Sequence, residues 1–286
     1  MKRAFSLLLT LALLALGASA LGEWQYPTEQ GTWILGSKPV SIDLDGDGTQ
    51  EAVSCAMVPT EYDAHLQLKV TGSAEAVFDT GIINGNPAWI YDLDGDGAME
   101  IFLWGDEMSD DYITFCLHWV NGRLVPVLFA DTTRGEGGEG YYKSGYGMLE
   151  DVDTEAGTVT LCGSQDALGT YFMSRTLALS EDGLFELADD GRWVRDLSGM
   201  EDDAWEYGGL TLKASVACEI DGQAMALEPG EKLMITATDK SSFVEFVTQD
   251  GREGRLAISR NYIQGWGWLV EGIPEEEIFE SVPYAD

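Results

Sequence analysis

The sequence predicts an all-β protein, on three observations. Apolar and polar residues alternate at period two in many short runs, turn dipeptides separate those runs, and an acidic motif recurs 49 residues on with similar segments behind it. Ala64 to Val70 shows the alternation most plainly, with Leu66, Leu68 and Val70 set against His65, Gln67 and Lys69. One face of that strand is thereby assigned to a core. Residues 113–120, 124–129, 158–162, 172–179 and 233–238 read the same way. Asn-Gly at 84 and 121 and Asp-Gly at 182, 190, 221 and 250 supply residues that tolerate the positive φ of two-residue hairpins.

The chain opens with Lys2 and Arg3, an apolar run from Phe5 to Leu16 and the small residues Gly17-Ala18-Ser19-Ala20. That is the layout of a secretory signal peptide over residues 1–20, with cleavage expected after Ala20. About a dozen apolar residues are too few to span a bilayer, and no later run is longer, so no transmembrane segment is expected in the mature chain. The expected location is secreted or cell envelope. Removing Lys2 and Arg3 takes the formal charge from −34 to −36. Nucleic acid is excluded as a partner, because binding phosphate needs a basic stripe that displaces counterions. With 45% hydrophobic residues, so acidic a chain still reads as folded rather than disordered. Cys55, Cys116, Cys162 and Cys218 form no Cys-x-x-Cys pair, so zinc has no support. They are read either as buried thiols or, since export permits it, as including a disulfide.

From residue 21 to 195 the order of elements repeats. The motif at Asp43 is followed by apolar runs at 52–57, 65–70 and 76–78, and the motif at Asp92 by runs at 101–104, 112–120 and 124–129. An eroded third copy begins at Asp151-Val152-Asp153 and continues through 158–162, 172–179 and 184–187. Four strands per unit of about this length is the size of a propeller blade, so the expectation is a propeller-like repeat domain, incomplete or with few blades. Residues 196–208 are acidic and lack alternation, and are read as a linker.

Residues 209–286 are read as a second, small β-barrel with a C-terminal tail. Gly230-Glu231-Lys232 opens a strand, Phe243-Val244 lies on the next, and Asp250-Gly251 turns the chain into Glu253-Gly254. These features resemble the bacterial Src-homology-three family, which implies a small barrel. Arg255 stands where that family carries Trp. In the tail, Pro274 followed by three glutamates starts a short helix that lays Ile278 and Phe279 on the barrel.

The repeated motif carries the chemistry. Counted from its first Asp, carboxylates fall at positions one, three, five and nine, with glycines at four and six. Calcium takes six to eight oxygens, and a tight loop of alternating carboxylates plus one carbonyl supplies them. The ligands expected in the first loop are Asp43, Asp45, Asp47, the Thr49 carbonyl and a bidentate Glu51. In the second they are Asp92, Asp94, Asp96, the Ala98 carbonyl and Glu100. An EF-hand would need Glu at position twelve and flanking helices. Position twelve is Ser54 or Leu103, and the flanks are strand-like. The nine-residue form resembles the loops of the FG-GAP and VCBS repeat families, which implies calcium at a strand-to-strand turn in a structural role. The third copy has Val159 at the ninth position and is expected to bind nothing.

No Gly-x-Ser-x-Gly elbow or His-Glu-x-x-His occurs, and His65 and His118 read as surface or satisfied strand residues. Gly135 to Gly147 lacks the Gly-Lys-Ser/Thr of a phosphate loop, and its tyrosines read as packing anchors. The functional expectation is a non-enzymatic, calcium-bearing binding or adhesion protein of bacterial type. Its partner would be cell-wall polysaccharide, peptidoglycan or an extracellular protein. The alternative is a secreted hydrolase of cell-wall or dietary glycans that uses the repeats as scaffold.

Overall fold

A computed structural model describes residues 31–107, 111–131, 140–198, 204–262 and 267–285. The expected leader, residues 199–203 of the expected linker, residues 132–139 and Trp266 lie outside the described residues. The protein is mostly β, 60% strand against 3% helix, as the alternation predicts. It divides into two compact units, residues 1–108 with 114–127 and residues 109–113 with 128–286.

The first unit contains β1 (Gly31–Ile34), β2 (Gly36–Ile42), β3 (Glu51–Pro59), β4 (Ala64–Thr71), β5 (Glu75–Asp79), β6 (Asn84–Gly85), β7 (Ala88–Tyr91) and β8 (Glu100–Asp106). Most of β9 (Tyr112–Val120) and half of β10 (Arg123–Asp131) belong to it as well. Strands β2 to β5 form a four-stranded antiparallel meander. Its core face is the one read from the sequence, since Leu66, Leu68 and Val70 are fully buried while Lys69 is exposed. Beside it β1 pairs with β7, β7 with β8, and β9 with β10. Asn121 and Gly122 turn the last pair at φ 50° and 76°, the left-handed values that an Asn-Gly hairpin demands.

The Asn-Gly at 84 is not a turn. Asn84 and Gly85 form β6 and pair with Asp106 and Gly105. A side chain on Gly85 would meet Leu66 at 2.7 Å, and one on Gly105 would strike the Asn84 carbonyl. The glycines serve close backbone approach rather than a change of direction.

In the second unit come β11 (Gly140–Tyr142), β12 (Ser144–Tyr146), β13 (Met148–Asp153), β14 (Thr158–Asp166), β15 (Thr170–Leu179), β16 (Leu184–Leu187) and β17 (Trp193–Val194). Helix α1 (Ala204–Tyr207) follows, then β18 (Leu210–Thr211), β19 (Val216–Ile220), β20 (Gln223–Leu227), β21 (Lys232–Thr238), β22 (Phe243–Thr248) and β23 (Glu253–Arg260). The chain ends with β24 (Trp268–Val270), β25 (Ile273–Pro274) and helix α2 (Glu275–Ile278). Strands β13 to β16 form a second antiparallel meander at the eroded third copy.

The expected barrel does not close among the described residues. Strand β21 pairs with β22 on one side and passes on to β17, which pairs in turn with β15, so the sheet runs into the preceding meander instead of returning on itself. The expected linker at 196–208 lies inside this unit. One apolar cluster draws Tyr171, Met173 and Trp193 together with Leu233, Val244 and Phe246 from beyond it. In the tail the short helix forms, with Pro274 one residue before its first turn and making no side-chain capping bond, and Ile278 and Phe279 are each 1% exposed in that cluster. All four cysteines are free and buried. Burial lifts the Cys55 thiol to about 12, so it stays protonated and serves as a small apolar side chain.

Candidate metal centres

Each acidic motif occupies the turn between two antiparallel strands. The first runs from the end of β2 to Glu51, the first residue of β3, and the second from the end of β7 to Glu100, the first residue of β8. Ending on a strand fixes the ninth-position glutamate, and Glu51 and Glu100 are 3% and 1% exposed. Leu44 and Leu93, at the second position, are fully buried and anchor each loop from beneath.

The two loops repeat one hydrogen-bond pattern. Leu44 N–H donates to Glu51 Oε2 at 3.0 Å, and Leu93 N–H to Glu100 Oε2 at 2.6 Å. Gly48 N–H donates to Asp43 Oδ2 at 2.9 Å, and Gly97 N–H to Asp92 Oδ2 at 3.2 Å. Thr49 N–H donates to Asp47 Oδ1 at 2.6 Å, and Ala98 N–H to Asp96 Oδ1 at 2.7 Å. Each of these bonds engages a single carboxylate oxygen; in the second loop the other oxygen of Glu100 is met by His118. Gly48 and Gly97 stand at φ 85° and 90°, where a side chain would strain the turn.

Asp43, Asp45 and Glu51 bring carboxylate oxygens within 4.8 Å of one another, and Asp92, Asp94 and Glu100 do the same. At that separation two full negative charges repel by roughly 3–4 kcal/mol at an effective dielectric of about 20. The Oδ1 atoms of Asp43, Asp45 and Asp92 are buried without a hydrogen-bond partner. Stripping water from a carboxylate oxygen without replacing it is costly, and a cation is the replacement that also removes the repulsion. The residues therefore fit a metal ion. The donors brought together are all hard carboxylate oxygens, which suit a hard divalent cation.

The structure unites three of the four expected carboxylates in each loop. Asp47 and Asp96 stand outside both groups, each turned onto its own loop's backbone. The expected bidentate glutamate has one oxygen already engaged by the second-position N–H. At Asp153 the pattern is absent: its Oδ1 accepts from Glu155 and Ala156 N–H, an ordinary turn.

One contact escaped the sequence reading. His118 on β9 places Nε2 2.7 Å from Glu100 Oε1, and this hydrogen bond holds the imidazole above its usual pKa despite partial burial. The partner is 18 residues away on another strand, so no spacing rule could have named it. The loops also touch each other. Met99 N–H donates to the Leu44 carbonyl at 2.9 Å, and a side chain on Gly46 would stand 2.7 Å from the Gly97 carbonyl oxygen. With φ at 69° as well, Gly46→Ala should cost about 1–3 kcal/mol in urea unfolding, whereas Gly95→Ala, with similar φ but open space, should cost less.

Comparison of the chain with profiles of known families, with curated proteins and with solved structures finds no match.

Proposed function

We propose that this is an exported, calcium-binding protein of the cell exterior or envelope. It acts as a non-enzymatic binding or adhesion module whose N-terminal repeats are of the FG-GAP and VCBS type. The observation that carries the reading is the pair of loops with one hydrogen-bond pattern, each gathering three carboxylates and each leaving at least one buried carboxylate oxygen without a partner. Asp43, Asp45 and Glu51 would hold one ion and Asp92, Asp94 and Glu100 the other. Asp47, Asp96 and the carbonyls of Thr49 and Ala98 would complete the shells. The ion would supply neutralisation and cross-linking: it offsets the crowded charge and ties the strand that precedes each loop to the one that follows.

The proposed partner is a cell-wall polysaccharide, peptidoglycan or an extracellular protein. The test is a glycan and peptidoglycan array probed with the full chain in calcium and in chelator. Retention on at least one array component in calcium, lost in chelator, is the expected result. No retention in either condition, or turnover of a glycan into smaller products, would overturn the binding-module reading.

A further inference from the structure

Both edges of the first unit's meander are guarded. Strand β2 carries Lys38 and Pro39 and breaks register between Gly36 and Val40, while β5 is bounded by Glu75 and Asp79, which pair with Lys69 and His65. Charges, proline and bulges of this kind stop an open row of N–H and C=O groups from recruiting another chain. Strand β20 of the second unit has none of them. It reads Gln223-Ala224-Met225-Ala226-Leu227, pairs in unbroken register with β19 alone among the described residues, and exposes every residue but the last.

The hairpin fixes which groups stand open. Asp221 and Gly222, at φ 52° and 75°, make a two-residue turn, so Ile220 and Gln223 exchange main-chain hydrogen bonds. Alternation along the ladder turns the main-chain groups of Met225 and Leu227 toward β19 and those of Ala224 and Ala226 away from it. Neither alanine has a further main-chain partner among the described residues. The side chains divide by face. Leu227 is buried and Met225, on the same face, is 46% exposed, so apolar surface continues from the core to the edge. On the other face Ala224 lies opposite Glu219.

Charge decides what fits there. Glu219, Asp221 and Glu228 are exposed around the edge and have no ion pair among the described residues. A second copy suits the edge poorly, because setting Ala224 against Ala226 of that copy would bring Glu228 beside Asp221 at both ends, between chains of formal charge −34. We propose that β20 accepts an extended cationic segment of another protein as an added antiparallel strand, in which apolar residues alternate with lysine or arginine. The apolar residues lie over Met225, and the basic ones stand opposite Ala224 and Ala226. Glu219 is then two strand spacings, about 10 Å, from the basic residue at Ala224, with only a methyl group between them, a gap that a long basic stem and a glutamate close together. The proposal does not rest on the calcium reading, whose loops lie in the first unit.

The test is calorimetric titration of the full chain, in calcium, with acetyl-Val-Lys-Val-Lys-Val-amide. Three variants of the peptide accompany it: one N-methylated on the backbone of both lysines, one N-methylated on the central valine, and one with Glu for both Lys. Saturable binding of one peptide per chain is expected. Methylating the lysine amides should weaken it at least about tenfold, since those N–H groups would donate to Ala224 and Ala226, whereas the central valine amide points away and its methylation should keep most of the affinity. The Glu peptide should not bind. Ala226→Pro removes an outward N–H without touching the bonds to β19 and should also weaken binding about tenfold. Where Ala226→Pro lowers the melting temperature, Met225→Lys at its exposed position replaces it. Absence of saturable binding, equal affinity for the two methylated peptides, which would mark attraction by charge alone, insensitivity to the substitution, or a dimer that Ala226→Pro dissociates would overturn the proposal.

Discussion

Replacing Trp193 by alanine should destabilise the second unit by about 3–5 kcal/mol, read as a lowered urea midpoint with an unchanged slope. Trp193 is 1% exposed, meets Tyr146 edge-on at 6.2 Å and carries the Arg175 guanidinium 4.4 Å over its ring. It sits on a two-residue strand that joins β15 to β21, so its packing holds together segments from both sides of residues 196–208. Truncation leaves a cavity that these sheets are poorly placed to fill, because their hydrogen-bond ladders fix the spacing. For the same reason a fragment of residues 209–286 lacks Trp193, Tyr171 and Met173 and should not fold alone, whereas one beginning at residue 128 should. A cost below about 1 kcal/mol for Trp193→Ala, together with a folded 209–286 fragment, would show that the cluster is not shared.

Strand existence was legible wherever one face is buried and the other wet. In β4 the exposure follows the sequence alternation, with Leu66, Leu68 and Val70 inward. β9 is less regular, since Thr114, Cys116, Leu117 and Trp119 are all buried and period two fades when both faces are covered. The two carboxylate clusters were legible because the spacing of Asp43, Asp45 and Glu51, and of Asp92, Asp94 and Glu100, is local. What failed to appear in the sequence is non-local. The opposition of Glu219, Arg255 and Glu245, the reach of His118 to Glu100 and the passage of β21 to β17 depend on register, which one sequence does not display. The Asn84-Gly85 misreading has a similar origin, because glycine serves tight turns and close backbone approach alike and only the neighbour decides between them.

Calcium should stabilise the first unit and leave the second nearly unchanged, because both carboxylate groups lie before residue 101. Extracellular calcium modules bind with dissociation constants of about 10⁻⁴ to 10⁻³ M, so at millimolar calcium each site should add roughly 0.4 to 1.4 kcal/mol by binding only the native state. Asp45→Ala removes an oxygen that is buried without a hydrogen bond, so in chelator its cost should be small, while in calcium one site's share is lost. Asp94→Ala should take the other share, the double substitution should abolish the calcium response, and Asp153→Ala, at an ordinary turn, should leave it intact. The most direct test is calorimetric titration of calcium into chelator-treated full-length protein. Two equivalents per chain are expected, one after either single substitution, none after both, and far weaker uptake of magnesium. A flat isotherm, or two equivalents still bound by the double variant, would contradict the assignment of these loops as calcium sites.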